Sequence, residues 1–296
     1  MATILDNPRT KAGLNDPSTS YYEGFLGSHN WQMPLLIDAG MTPISFKGVW
    51  QRRLEVIRRL KEALEMHEPE ERIKAWESLQ TEWVDTHIGS GDGAVRHSSG
   101  SAKIAPDANY LRLLTPETPL RNGSVRLSGG DFIRLYGEHF TPGQVERYFE
   151  KSLTREEVKE SPVWRALMRG DQALLNHVAD TAFAQAEERF PYRPRYDRDE
   201  GKMMRVYIQN APSEGAAGRL WTASSLVNNA YAGSRRLDDV GWLVAVASAP
   251  KARVETGVTL EQRVKAVLAA TKGQIGIENL AGYEMQVRDA LRILEQ

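Results

Sequence analysis

The sequence predicts an α+β protein: an extended N-terminal arm, a mostly helical first two-thirds, then a small mixed or antiparallel sheet with two C-terminal helices packed on it. Three observations lead there. Apolar residues recur at helical spacing from residue 46, helix-start signals are dense between 141 and 190, and strand-like apolar runs gather beyond residue 203. Strands and helices do not alternate steadily, which disfavours a doubly wound sheet.

Residues 1–45 read as the arm, because Asn-Pro, Asp-Pro, Ser-Thr-Ser and Gly-Ser clusters break every period. The arm still carries Tyr21, Tyr22, Phe25, Leu26, Trp31, Leu35, Leu36 and Ile37. That content predicts docking of residues 20–37 on the body or on a partner, since free tails are poor in such residues. The clearest element follows: Phe46, Trp50, Leu54, Ile57, Leu60 and Leu64 form the stripe of an amphipathic helix. A second stripe through Ile73, Trp76, Leu79 and Trp83 predicts a helical hairpin. Residues 89–103, rich in Gly and Ser, read as a loop or linker.

Short strands are expected at Tyr110–Leu114 and Ser124–Leu127, with Asn122-Gly123 as a hairpin turn. A helical block runs from about 131 to 190. Thr141-Pro142-Gly143-Gln144 and Thr154-Arg155-Glu156-Glu157 each supply a cap and its reciprocal partner. Gly170 is a stop and Asp171 an N-cap for a helix through Leu175, Val178 and Phe183. Residues 191–202 form a turn-rich connector, followed by strand-like runs at 203–209, 219–227 and 241–248. The last is apolar enough for an interior strand. Helices are expected from Thr259 and over about 277–294. The regions are thus an arm (1–45), a mainly helical region (46–190) and an α+β region (191–296), the last two separate or one continuous domain.

Composition narrows the function. Of 296 residues, 41% are hydrophobic and 26% charged, which suffices for a packed core. The net charge of −1 gives no global reason to expect a nucleic-acid or membrane-surface protein. The absence of Cys excludes disulfides, thiol nucleophiles and cysteine-ligated metal sites. No apolar run approaches the ~20 residues of a membrane span, and the start lacks the apolar core of a secretory signal. A soluble, cytoplasmic protein is the expectation.

No phosphate-loop, nucleophile-elbow, zinc-helix or kinase signature is present. Weaker constellations remain. His87, Asp92 and His97 lie within eleven residues and could share acid–base work or hold a divalent metal. Gly89-Ser90-Gly91-Asp92-Gly93 has the composition of an anion cradle but not its strand-to-helix context. His177 and Asp180 share a helix face, His139 reads as a turn residue, and Asp238-Asp239 after Arg235-Arg236 read as a charged turn. Arg and Tyr residues interleave over 192–205, diluted by Asp and Glu.

The 46–68 helix opposes its own dipole, with Lys47, Arg52, Arg53, Arg58 and Arg59 early and Glu62, Glu65 and Glu68 late. Either acidic residues of the 70–86 segment fold back on it, or Arg52, Arg53, Arg58 and Arg59 bind an acidic or phosphate-bearing ligand. Two functions stay open. One is a binding or assembly protein that acts through the docked arm and the charged, Trp-rich hairpin, with a protein partner or self-assembly. The other is a hydrolase or transferase using the loop around residues 87–98. No cofactor is assigned by any motif.

Overall fold

The computed structural model describes residues 21–66, 83, 87–189, 201–224 and 230–247. Among these, eleven strands form one mixed sheet, with helices on both of its faces. This corrects the expected mostly helical first two-thirds with a small sheet behind it, because seven of the eleven strands precede residue 141. The expected helices beyond residue 259, the 70–82 stripe and the 191–200 connector lie outside the described residues.

The chain enters through β1 (Tyr21–Ser28) and α1 (His29–Asp38), then β2 (Thr42–Pro43) and α2 (Phe46–Met66). The strands β3 (Ile88–His97) and β4 (Ala102–Ala105) precede α3 (Asn109–Arg112) and the hairpin of β5 (Leu120–Arg121) and β6 (Ser124–Leu127). Next come α4 (Gly129–Arg134), β7 (Glu138–Phe140), α5 (Pro142–Tyr148), α6 (Arg155–Glu160), α7 (Pro162–Leu167) and α8 (Gln172–Arg189). The last described strands are β8 (Val206–Tyr207), β9 (Ala216–Ala223), β10 (Ala232–Arg235) and β11 (Val240–Ala247).

The strand order is β1-β11-β3-β9-β10-β8. β11 runs parallel to β3, and β8 parallel to β10; the other pairings are antiparallel. β1 pairs with β11 over its whole length, Tyr21 opposite Ala247 through Ser28 opposite Val240. The described part of the expected extended arm is therefore not an arm: residues 21–28 are a sheet strand and 29–38 a helix, held by β11, which is an interior strand between β1 and β3. Strand alternation divides the core in two. Ala94, Trp221 and Val244 face one side, with Trp50, Trp83 and Trp164. Their neighbours Val95, Leu220, Leu243 and Ala245 face the other, with Phe25, Met33, Leu36, Leu111 and Phe132.

The largest departure from expectation is β3. Its Gly-Ser-Gly-Asp-Gly run reads as a linker, yet residues 88–95 are all buried in the middle of the sheet. The glycines mark close approach rather than freedom. A Cβ on Gly91 would lie 2.9 Å from the Pro43 ring, and one on Gly93 would strike Tyr110 and Ala108. The register against β9 shifts between Gly89 and Gly93, so this stretch is irregular as well as tight. The expected strand at 110–114 is instead the short helix α3, which buries Tyr110 and Leu111.

Local signals fare better. Thr141 and Thr154 both form complete capping boxes, and Leu174 N donates to Asp171 Oδ1 at 3.0 Å. Asn122 (φ 51°) and Gly123 (φ 68°) both adopt the left-handed region that a two-residue hairpin turn demands.

Candidate binding face

His87, Asp92 and His97 all lie on or next to β3, strung along one strand rather than gathered around a point. At about 3.3 Å per residue their Cα atoms are spaced by roughly 16 Å per interval. Each has its own surroundings. Asp92 is buried and accepts from Phe46 N (2.8 Å), Asp107 N (2.9 Å) and Arg169 (2.8 Å). Burial raises its pKa despite these partners. The carboxylate sits at the N-terminus of α2, supplying the acid that the helix lacks in its own first turn. His97 stacks on Phe132 at 4.9 Å and meets Ser99 Oγ at 2.8 Å. His139 is in β7, not a turn, and packs edge-on to the same Phe132 ring at 5.9 Å. No group of three or more His, Asp or Glu that could hold a metal ion occurs among the described residues.

The arginines divide into two pairs. Arg52 and Arg53 are buried. The Arg53 guanidinium lies over Trp50 (4.9 Å) and donates to Ser224 O (2.7 Å) and Ala223 O (3.2 Å). Arg58 and Arg59 are on the outer side of α2 and pair with Glu55, and Arg58 also with Glu62. Lys47 reaches Asp171 at 2.7 Å. On α8, Asp180 turns to Lys159 (2.8 Å), and His177 is exposed.

A different set of residues comes together at the β8–β10 end of the sheet. Antiparallel pairing aligns Gly233 with Thr222 and Arg235 with Leu220, while Gly233 also pairs with Tyr207 of β8. Alternation therefore places Tyr207, Thr222, Gly233 and Arg235 on one face. Ser224 and His87 extend it: Ser224 Oγ lies 3.2 Å from His87 Nε2, and Ser224 N donates to Tyr231 O at 2.9 Å. The His87 ring packs edge-on to Tyr231 at 6.2 Å. Burial, with Arg235 and Arg53 adding repulsion, lowers the His87 pKa to about 4, so the ring is neutral. A neutral imidazole on a hydroxyl is the arrangement of a nucleophile and its base. Here Ser224 is 0% exposed, with Arg53 on its carbonyl, so the pair braces the strand end.

His29 packs on this same side of the sheet, 1% exposed, with its ring where side chains on Gly89 and Gly241 would otherwise go. Nδ1 faces the Arg236 carbonyl at 3.3 Å. The carbonyl can only accept, so Nδ1 carries the proton and Nε2 is an acceptor, one without a partner among the described residues. Burial drives its pKa to about 4. The folded value lies below the ordinary 6.5, so the unfolded chain takes up the proton first as pH falls. Stability is unaffected above pH 6.5 and declines down to about pH 4, by roughly 3 kcal/mol in total from this residue. His29→Gln should flatten the fall in urea stability between pH 7 and 4.5 by about 2 kcal/mol or more. An identical pH slope in both proteins would contradict the assignment.

The rim is charged. Arg236 holds Asp238 in a two-point contact (2.9 and 2.8 Å), and Arg235 reaches Asp239 at 3.4 Å. Arg219 donates to Ser124 Oγ and Asn122 O, both at 2.7 Å, which ties the rim to the β5–β6 turn. Tyr207 is 42% exposed at the edge. Tyr207, Arg219, Ser224 and Tyr231 carry no motif and are not identified by sequence reasoning. The period-two spacing of Tyr231, Gly233 and Arg235 is the one signal that could have pointed to them.

No protein-family model matches the chain, and no curated protein matches it. A solved structure described as the accommodation of massive sequence variation in Nanoarchaeota by the C-type lectin fold is similar, with a TM-score of 0.52 and 12% identity. The match covers 79% of this chain and 100% of that one. At this identity the likeness speaks for the fold alone: the chain has a C-type lectin-like fold. No helix among the described residues is long and apolar enough to cross a membrane.

Proposed function

We propose that the protein is a binding protein whose C-type lectin-like sheet is a rigid frame, and that it recognises a protein partner through the face at the β8–β10 end. One observation carries this reading. Tyr207, Tyr231, Arg235 and the Arg236–Asp239 turn sit together at the surface, while the residues beneath them are buried and held by Arg53, His87 and His29. Tyr and Arg on a preorganised support are the residue types that dominate protein contacts. The similar nanoarchaeal structure supports it, since a fold that accommodates massive sequence variation can separate its frame from its presented residues. In this reading β1 and the Trp50 turn of α2 serve the frame.

Quantitative affinity capture from the native cell extract provides the test. The double variant Tyr207→Ala/Arg235→Ala should lose a captured protein by at least ~30-fold, the effect of about 2 kcal/mol at a contact centre. Its melting temperature should stay close to the parent's. An Arg155→Ala/Glu187→Ala control, which removes a remote surface pair, should capture normally. Equal capture by all three proteins would refute the proposal.

A further inference from the structure

One positive charge at the β8–β10 end of the sheet has no counterpart. Arg205 stands at the entry to β8, where Ala232 N donates to its carbonyl at 2.9 Å. The next residue, Val206, is buried in the core beside Trp50 and Trp164, so alternation puts Arg205 on the other face with Tyr207. The register that sets Tyr207 opposite Gly233 brings Arg205 beside Tyr231. The Tyr231 ring in turn lies 2.7 Å from where a Cβ on Gly233 would be. The backbone around Arg205 is fixed from both sides. Leu153 and Met203 exchange two hydrogen bonds (2.9 and 2.8 Å), Trp164 Nε1 donates to Met204 O (3.0 Å), and Glu150 N donates to Val206 O (2.7 Å). Met204 is held in the left-handed region at φ 58°, a strained setting for a residue other than glycine.

Arg205 Nε is shielded from solvent and makes no hydrogen bond. Arg53 and Arg96 also carry a shielded Nε, but they donate elsewhere, to Ser224 O and Gly100 O. The other arginines at this end are occupied as well: Arg236 with Asp238, Arg235 with Asp239, and Arg219 with Ser124 Oγ and Asn122 O. Among the described residues, Arg205 is the guanidinium of this face that no acceptor reaches. A guanidinium only donates, so it is satisfied by acceptors alone. Its Nη groups are not covered and stay open to an acceptor from outside. The charge is thus partly stripped of water before any partner arrives. A carboxylate placed there meets a lower dielectric than at a fully exposed arginine, and the planar fork can take both of its oxygens. Asp238 and Asp239 on the rim select against a polyanion, since a row of phosphates would meet them too.

We infer that the protein partner of this face presents an aspartate or glutamate to Arg205, with an apolar or aromatic neighbour against Tyr207 and Tyr231. This rests on the binding role proposed above, and the test separates the two. The probe is a random-peptide library displayed on phage and selected on the parent protein. Peptides that bind the parent but not Tyr207→Ala/Arg235→Ala should share an Asp or Glu. Their affinity for Arg205→Gln should fall at least ~10-fold, and Arg205→Lys should recover only part of it. The melting temperature of Arg205→Gln should equal or exceed the parent's, because the guanidinium holds nothing inside the protein. Selected peptides that depend on Tyr207 and Arg235 but not on Arg205 would overturn this inference and leave the binding face standing. A library that yields only peptides indifferent to all three residues, or none at all, would overturn both. A lowered melting temperature of Arg205→Gln would show the charge to be matched within the chain. Single-stranded DNA that displaces the peptides more readily than free peptide does would make the partner a nucleic acid. Either result contradicts the inference.

Discussion

Removing residues 1–40 is expected to abolish the native fold. The deletion takes away β1, whose eight residues pair with β11, and α1, which buries Met33 and Leu36. It also strips Phe25 from the second core and the bond from Asn30 N to Leu237 O (2.9 Å). Phe25, Met33 and Leu36 alone contribute roughly 1.5–3 kcal/mol each by leaving water. Their loss approaches the whole stability of an ordinary domain, about 5–15 kcal/mol. β11 would in addition become a bare apolar edge, which favours aggregation. A milder variant keeps the expectation testable if the truncated chain is insoluble. Phe25→Ala should cost about 3 kcal/mol in urea unfolding. A truncated protein that melts at the parent temperature would show that the segment rests on the body without supporting it.

The second large effect is expected at Asp92. Its carboxylate joins three separate pieces of chain: the start of α2 through Phe46 N, the turn before α3 through Asp107 N, and the end of α7 through Arg169. Asp92→Ala leaves two backbone N–H groups and part of a guanidinium without their acceptor. Arg169 is partly solvated and keeps Asp107 at 3.1 Å, so the amides dominate the loss. Each orphaned buried donor costs about 1–3 kcal/mol, which sets the expectation at about 3 kcal/mol or more. Asp92→Asn should recover only part, because its NH2 replaces one of the two accepting oxygens with a donor. Urea midpoints of the three proteins decide the matter, and a loss below about 1 kcal/mol for Asp92→Ala would contradict the network.

The contrast between what was and was not legible has a physical basis. Thr141, Thr154, Asp171 and Asn122-Gly123 act within four residues of themselves, so their caps and turn can be read from the chain. β3 cannot. Its glycines are explained by Pro43, Tyr110 and Ala108, residues brought close only by the finished fold. Reading that run as a linker removes the central strand, and without it the first two-thirds looks helical. The basic start of α2 is the same lesson in electrostatics. The missing acid arrives from Asp92, 46 residues away. The candidate face is harder still, since Tyr207, Ser224, Tyr231 and Arg235 meet through parallel and antiparallel pairings that no local pattern encodes.

The central claim is that a lectin-like frame presents the β8–β10 face to a partner. Amide hydrogen exchange on the protein alone and with its captured partner measures this most directly. Partner-dependent protection should appear in peptides covering residues 205–209 and 232–239, while β3 and β11 exchange slowly in both states. Protection confined to other surfaces, with residues 205–209 and 232–239 unchanged, would contradict the account.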